Sequence, residues 1–255
     1  MANNLKTKED IEKIRKGGGI LAGILQRTIA LVKPGISTWQ LNDFAEKEIY
    51  AAGGRPSFKG HGPKNNPFPA GLCTSINSEV VHGIPSKKRI LQEGDIIGLD
   101  IGMEYLGRYT DHAITVAVGK IDKQAQKLLE VTRESMFLAI KQAKVGNKVG
   151  DIADATQQYI EKNGFNVVRD LVGHGVGFAV WEDPQVPGFG KPNTGVTLQE
   201  GMVLAIEPMA TIGDYRLIVE NDDWTISTAD GSLAAHFEHT VAITRHGPEI
   251  LTVQS

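Results

Sequence analysis

The sequence predicts an α+β fold in which two similar halves share one sheet. The first observation behind this is an internal repeat. KPGISTWQLNDFAEKEIYAAG, residues 33–53, aligns without a gap on KVGNKVGDIADATQQYIEKNG, residues 144–164. Lys33 pairs with Lys144, Gly35 with Gly146, Leu41 with Ile152, Asp43 with Asp154, Ile49 with Ile160 and Gly53 with Gly164, each at an offset of 111 residues. The second observation is that each copy leads into strand-like runs with period-two alternation, separated by Gly, Asp and Asn turns. The 255 residues are read as a single domain spanning 1–255, with halves of roughly 8–119 and 120–255.

Taken in order, residues 9–32 carry a helical pattern whose start is marked by Thr7 and Asp10, a capping-box spacing. The first repeat copy reads as a turn, a helix of about four turns with an apolar stripe, and a glycine stop. SINSEVVHGI and the hairpin EGDIIGLDIGMEYLGRYTDHAITVAVG supply strands of the first half. Residues 122–144 and the second copy repeat the helix pair. The strands FNVVRDLVGHGVG, MVLAIEPMA, RLIVEND, WTISTAD and HFEHTVAIT complete the second half. Ligands commonly bind where two such halves meet.

The composition excludes several classes. Hydrophobic residues make up 41% of the chain and charged residues 22%, ordinary for a globular protein with a sizeable core. A net charge of -3 predicts neither a nucleic-acid nor a membrane surface. No apolar run approaches the roughly 18 residues that a membrane span needs. The start MANNLKTKED has no apolar core of a secretory signal, so a cytoplasmic location is expected. The single cysteine, Cys73, leaves no partner for an internal disulfide and no cysteine-based zinc module.

Polar residues fall in places where apolar ones belong. Asp100 lies in IIGLDIG and Asp111 in YTDHAITVAV. Alternation puts Ile97, Leu99 and Ile101 on one face and Gly98, Asp100 and Gly102 on the other, so the carboxylate shares its face with small residues that leave room beside it. Asp111 shares a face with Ala113, Thr115 and Ala117. A pair of edge aspartates capping backbone N–H groups is the plainer explanation. Three later stretches weigh against it: LVGHGVGF places His174 between glycines, MVLAIEPMA ends on Glu207 before Pro208, and AAHFEHTVAIT carries Glu238. Burying unpaired charge is costly, and coordination of a cation lowers the cost. Four carboxylates and one imidazole without thiolate suit hard to borderline divalent ions, and four negative charges balance two such ions. Paired ions about 3.5–4 Å apart form a clamp common in hydrolases.

The order Asp100, Asp111, His174, Glu207, Glu238, with VVHGIP, GHGVG, IEP and FEHT, resembles the methionine aminopeptidases of the short bacterial type I over nearly the whole chain. The resemblance implies the pita-bread fold, two pseudo-symmetric halves around a curved antiparallel sheet with helices outside. It implies two divalent metal ions (Co, Mn, Fe(II), Zn or Ni), with Asp111 and Glu238 bridging them, Asp100 completing one, and His174 and Glu207 the other. Glu207 would also shuttle the proton, and His82 would contact the substrate backbone near the scissile bond. Taken alone, His82 reads more readily as a loop histidine held by local backbone than as a substrate contact. Cys73 and Trp224 match positions lining the methionine pocket, though either could be plain core. The implied reaction is removal of the initiator methionine from nascent chains when the second residue is small. The implied partners are polypeptide N-termini at the ribosome, with no nucleic acid, no membrane and a monomeric state.

Three departures from the family pattern stand out. The loop GHGPKNNPFPAG keeps His61 and Phe68, lacks the usual tyrosine and carries Pro63 to Pro67 as an insertion at the pocket rim. His236 stands where glutamine is usual, two residues before Glu238 and so on the same side of one strand. Trp181 stands where the family has a histidine that helps hold the substrate carbonyl, and Val180 replaces an aromatic. The departures leave two outcomes for catalysis, a slow enzyme or one in which His236 supplies the donor that Trp181 lacks, beside the plainer reading that Trp181 packs the pocket wall where Val180 gave up an aromatic. Proline-directed peptidases of this fold carry an extra N-terminal domain. The longer type II methionine enzymes carry an insertion before the last ligand. Here 33 residues separate His174 from Glu207, and 31 separate Glu207 from Glu238. A non-catalytic binding protein on the scaffold would be expected to have lost ligands, and none is lost.

Overall fold

Three of the four described helices start on a short polar side chain that caps them. Thr7 accepts from the Asp10 N–H while Asp10 accepts from the Thr7 N–H, and Ser37 and Gln40 close a second box in the same way. Asp122 caps a third helix through the Ala125 N–H. The computed structural model describes residues 4–254. Residues 1–3 and 255, part of the single-domain span read from the sequence, lie outside the described residues.

The elements run α1 (Lys8–Ile29), α2 (Thr38–Ala51), β1 (Arg55–Pro56), β2 (Leu72–Ile76), β3 (Glu79–Val81), β4 (Ile96–Tyr105) and β5 (Arg108–Ala117). Then come α3 (Lys123–Gln142), α4 (Val149–Lys162), β6 (Asn166–Val167), β7 (Val172–Gly175), β8 (Glu182–Pro187), β9 (Val203–Ile206) and β10 (Met209–Thr211). The chain closes with β11 (Leu217–Val219), β12 (Ile226–Thr228), β13 (Ala234–His236), β14 (Glu238–Thr244) and β15 (Gly247–Ile250). The main sheet has nine strands in the order β1-β4-β5-β14-β9-β7-β8, with β2 on β4 and β15 on β14, and its pairings are antiparallel. No described helix is long and apolar enough to cross a membrane.

Two apolar layers sit on the helix side of this sheet. In the first half Leu21, Ile24 and Leu25 of α1 and Leu41 and Ile49 of α2 pack on Ile97, Leu99 and Ile101. In the second, Leu128, Met136 and Ile140 of α3 and Ile152 and Ile160 of α4 pack on Leu204, Ile206, Val241 and Ile243. Burial at about 25 cal/mol per Å² of apolar surface makes this face the fold's main source of stability and fixes strand register, since a one-residue slip would turn it outward.

The repeat read from the sequence is reproduced in the backbone. Gly35 and Gly146 take φ of 88° and 89°, and Gly53 and Gly164 take 80° and 85°, left-handed conformations that suit glycine at both ends of each copy's helix. Ser37 and Lys148, also offset by 111, each make an isolated bridge, to Ile90 and Thr197.

Three strand readings need correction. FNVVRDLVGHGVG is two strands, β6 and β7, in different sheets. MVLAIEPMA breaks at Glu207 and Pro208, because proline has no N–H to continue the ladder. His236 and Glu238 do not share one strand: Phe237 separates β13 from β14, and the first pairs with β10 while the second pairs with β5 and β9.

Candidate active site

On the face of the sheet opposite the helices, three rows meet. Asp100 on β4 pairs with Ala113 on β5, and Ala113 pairs in turn with Glu238 on β14. Two acids thus flank a methyl group across three strands. Asp111 lies two residues before Ala113 on the same face. Its backbone is pinned by Thr240, whose hydroxyl accepts from the Asp111 N–H at 2.9 Å and donates to the Asp111 carbonyl at 2.8 Å. From the second half, His174 on β7 pairs with Ala205 on β9, and Glu207 lies two residues beyond Ala205. The same device, an alanine leaving space between larger polar side chains, is used by each half.

Of the two glycines beside Asp100, Gly102 does not leave the room that the sequence suggested. A Cβ at Gly102 would stand 2.1 Å from Ser57 Oγ and 2.7 Å from the Phe58 ring. The space there admits Phe58, a wall residue of the cavity, rather than a ligand.

Ligand-type atoms of Asp111, His174 and Glu238 all lie within 4.8 Å of one another. His174 Nε2 is 3.5 Å from Glu207 Oε1, and His236 Nε2 is 3.4 Å from Glu207 Oε2 and 3.9 Å from Glu238 Oε2. The five residues expected from the sequence, Asp100 included, line one cavity, with His236 beside them. The His174 Nδ1–H donates to the Gly175 carbonyl at 2.9 Å, which turns Nε2 toward the cluster, as an outer partner of a metal-binding histidine does.

The electrostatics are those of charge awaiting compensation. Burial, and then Asp100 and Glu207, push the Asp111 carboxyl well above its usual range. Burial, and then Asp111, do the same to Glu238. Burial raises Asp100 to about 6, with His236 opposing and Glu207 adding to it. His236 is raised although burial works against it, because Glu207 and Asp100 favour the charged imidazole. Three buried side-chain atoms of this cluster lack any hydrogen-bond partner: Asp100 Oδ1, Glu238 Oε1 and His236 Nε2. Native interiors rarely leave such atoms unpaired. Their convergence, with acids and imidazoles only, fits a divalent cation.

A cavity of about 600 Å³ opens over the cluster, walled by Phe58, Phe68, Cys73, Val81, Met209 and Trp224, with His61 and Trp181 toward its outer side. Cys73 faces Asp100 across β2 and β4, and burial with the nearby acids keeps it a neutral thiol, an apolar wall rather than a thiolate ligand. His82 also lines the cavity, at φ 59°, and burial lowers it to about 4, so it is a neutral imidazole at pH 7. Phe58 and Met209 were not singled out from the sequence. Alternation from Glu207 places Met209 on the same face, whereas Phe58 carries no local signal.

Both loop departures are built in. In the insertion, Gly60 and Phe68 pair at 2.8 Å, the Asn66 N–H donates to Pro63, and the Trp224 indole N–H donates to the Asn66 carbonyl at 3.0 Å. Gly62 holds φ 102° against Trp224, where a Cβ would stand 2.5 Å from the ring. Trp181 is 44% exposed and meets His61 edge-on at 4.4 Å, with its ring 6.3 Å from His174. It therefore stands at the rim of the cavity. Its loop is tied down by Glu182, whose carboxylate accepts from the Phe178 and Ala179 N–H groups and from Lys6 Nζ at 2.5 Å. Lys6 and Glu182 are both buried, so this pair anchors the rim to the start of the chain.

Comparison with known proteins gives a consistent result. The model of metallopeptidase family M24 matches residues 12–245. The methionine aminopeptidase of Clostridium acetobutylicum is 49% identical over 249 residues, 98% of each chain. Methionine aminopeptidase 1 of Bacillus subtilis is 46% identical over 97% of this chain and 98% of its own. The crystal structure of methionine aminopeptidase from Thermotoga maritima superposes with a TM-score of 0.95 at 44% identity, covering 98% of this chain and 99% of that one. The pita-bread architecture is thus the observed one. The prolidase of Pyrococcus horikoshii, at 23% identity and a TM-score of 0.78, shares the fold alone and extends well beyond it, this chain covering 64% of its length.

Proposed function

The chain belongs to metallopeptidase family M24, and from that premise we propose that it is a methionyl aminopeptidase removing the initiator methionine from new polypeptides with a small second residue. The observation that carries the reading is the cluster of buried acids and imidazoles with unpartnered atoms at the floor of one apolar-walled cavity. Its setting would be the cytoplasm, at N-termini emerging from the ribosome, with a monomer of one domain in two halves as the working form.

In this reading Asp100, Asp111, His174, Glu207 and Glu238 would together hold two divalent ions. When bound, the ions supply an acidified water and a Lewis acid for the scissile carbonyl. Glu207, at the break between β9 and β10 and half-buried, takes the proton from the attacking water and passes it to the leaving amine, as general acid–base catalysis requires. His82 offers a neutral ring N–H to the substrate backbone. With its pKa lowered to about 4 by burial, it acts near neutral pH as a neutral hydrogen-bond donor and not as a cationic acid.

Methionine's flexible thioether suits the wall of Phe58, Phe68, Cys73 and Trp224. The side chain of the next residue has to pass between the cluster and the rim of His61 and Trp181, which favours small residues. A Met-Ala-Ser peptide should be cleaved with a kcat/KM at least about 10-fold above that of Met-Leu-Ser, on the scale of a few methylenes misfitting a pocket. Comparable rates on the two peptides would contradict the proposal.

A further inference from the structure

His236 is the one member of the cluster that the five-residue ligand set leaves without a task. It is 3% exposed, and its Nε2 is among the buried atoms lacking a hydrogen-bond partner. Its backbone is fixed independently of its ring: the His236 N–H donates to Thr115 Oγ1 at 2.9 Å, and that hydroxyl donates to the His236 carbonyl at 2.7 Å. Thr115 sits on β5 two residues beyond Ala113, so the strand carrying Asp111 also holds His236 in place.

The ring's position relative to Glu207 mirrors that of His174. His174 Nε2 stands 3.5 Å from one Glu207 oxygen and His236 Nε2 stands 3.4 Å from the other. The His236 separations are longer than the 2.7–2.9 Å of a charge-assisted hydrogen bond. With metal–ligand bonds of about 2.1 Å, two donors on one ion stand about 3.0–4.2 Å apart, from a right angle to opposite positions. The distances from His236 Nε2 to Glu207 and Glu238, 3.4 and 3.9 Å, both fall in that interval.

We propose that His236 is itself a ligand of this centre, its Nε2 binding the ion that Glu207 and Glu238 hold, so that the site is built from four carboxylates and two imidazoles. This rests on the metal reading of the cluster given above. A second imidazole adds a borderline-soft nitrogen, which shifts preference from manganese toward cobalt, nickel and zinc. It also engages Nε2, so His236 does not stand in for a donor missing at Trp181.

The test is proton NMR of the Co(II)-loaded protein, in which ring N–H protons of coordinated histidines are displaced far outside the normal range. The wild type should show two such exchangeable signals, His236→Gln and His236→Ala one each, and His174→Gln one. Calorimetric Co(II) titration should show at least about a 10-fold loss of affinity at one site in His236→Gln. A single displaced signal in the wild type, unchanged in His236→Gln with unchanged affinity, would overturn the proposal without touching the five-residue site. Failure of the wild type to take up cobalt, or two signals retained in His174→Gln, would instead bring down the metal reading itself.

Discussion

Replacing Asp111 by Asn will move activity and metal-free stability in opposite directions. The carboxylate sits on β5, the strand between those of Asp100 and Glu238, two residues from the Ala113 that pairs with both, and the substitution removes a charge from the cluster while keeping its shape. Metal content should fall, and kcat/KM on a Met-Ala peptide should drop by at least about 10²-fold, the upper end of what losing even an outer partner of a ligand costs. The metal-free protein should behave otherwise. Burial and neighbouring acids raise the Asp111 pKa in the folded state. A raised carboxyl pKa gives stability that is present below the unfolded value of about 3.9 and is lost as pH rises toward the folded one. At pH 7 the wild type without metal bears that loss, and the Asn variant does not. Chelated Asp111→Asn should therefore melt above chelated wild type at pH 7, with the gap closing near pH 4. Full activity and full metal content in the variant would remove Asp111 from the site.

Trp181→His should accelerate the enzyme. An indole offers one N–H and no acceptor. At the rim its ring stands roughly perpendicular to both His61, at 4.4 Å, and His174, at 6.3 Å. An imidazole there is shorter and carries a donor that a developing oxyanion can use, and one such donor is worth about 10²–10³ in rate. The expected gain in kcat/KM on one Met-Ala peptide is up to about 10²-fold, carried mainly by kcat. His236→Gln should lower activity by the same factor in the wild-type and Trp181→His backgrounds, because His236 Nε2 faces Glu207 and Glu238. A severe effect alone that becomes mild beside Trp181→His would mean that His236 had been supplying the donor after all. An unchanged rate in Trp181→His would make Trp181 a rim-packing residue only.

Much of this was legible in the sequence because it is written in local pattern. The repeat located four glycines and two helix pairs, and period-two alternation put Asp100 and Asp111 on one face. The rest depends on partners far away in the chain. Nothing near Lys6 predicts a buried pair with Glu182, 176 residues on, although that pair sets the loop carrying Trp181. Trp224 reads as a pocket residue, yet its N–H also closes the inserted loop through Asn66, 158 residues earlier. His236 and Glu238 look like neighbours on one strand. Phe237 instead turns into the helix-side core, and the two flanking strands go to different sheets. Periodicity cannot reveal such a break, because both residues still point into the same cavity.

Methionine release by the chelated and reloaded protein decides whether the buried cluster works through bound metal. Protein stripped with a chelator and dialysed should release no methionine from Met-Ala-Ser, and activity should return with added Co, Mn, Fe(II), Zn or Ni in step with bound metal, levelling near two ions per chain. Undiminished release by protein shown to hold no metal would rule out a metal-dependent site.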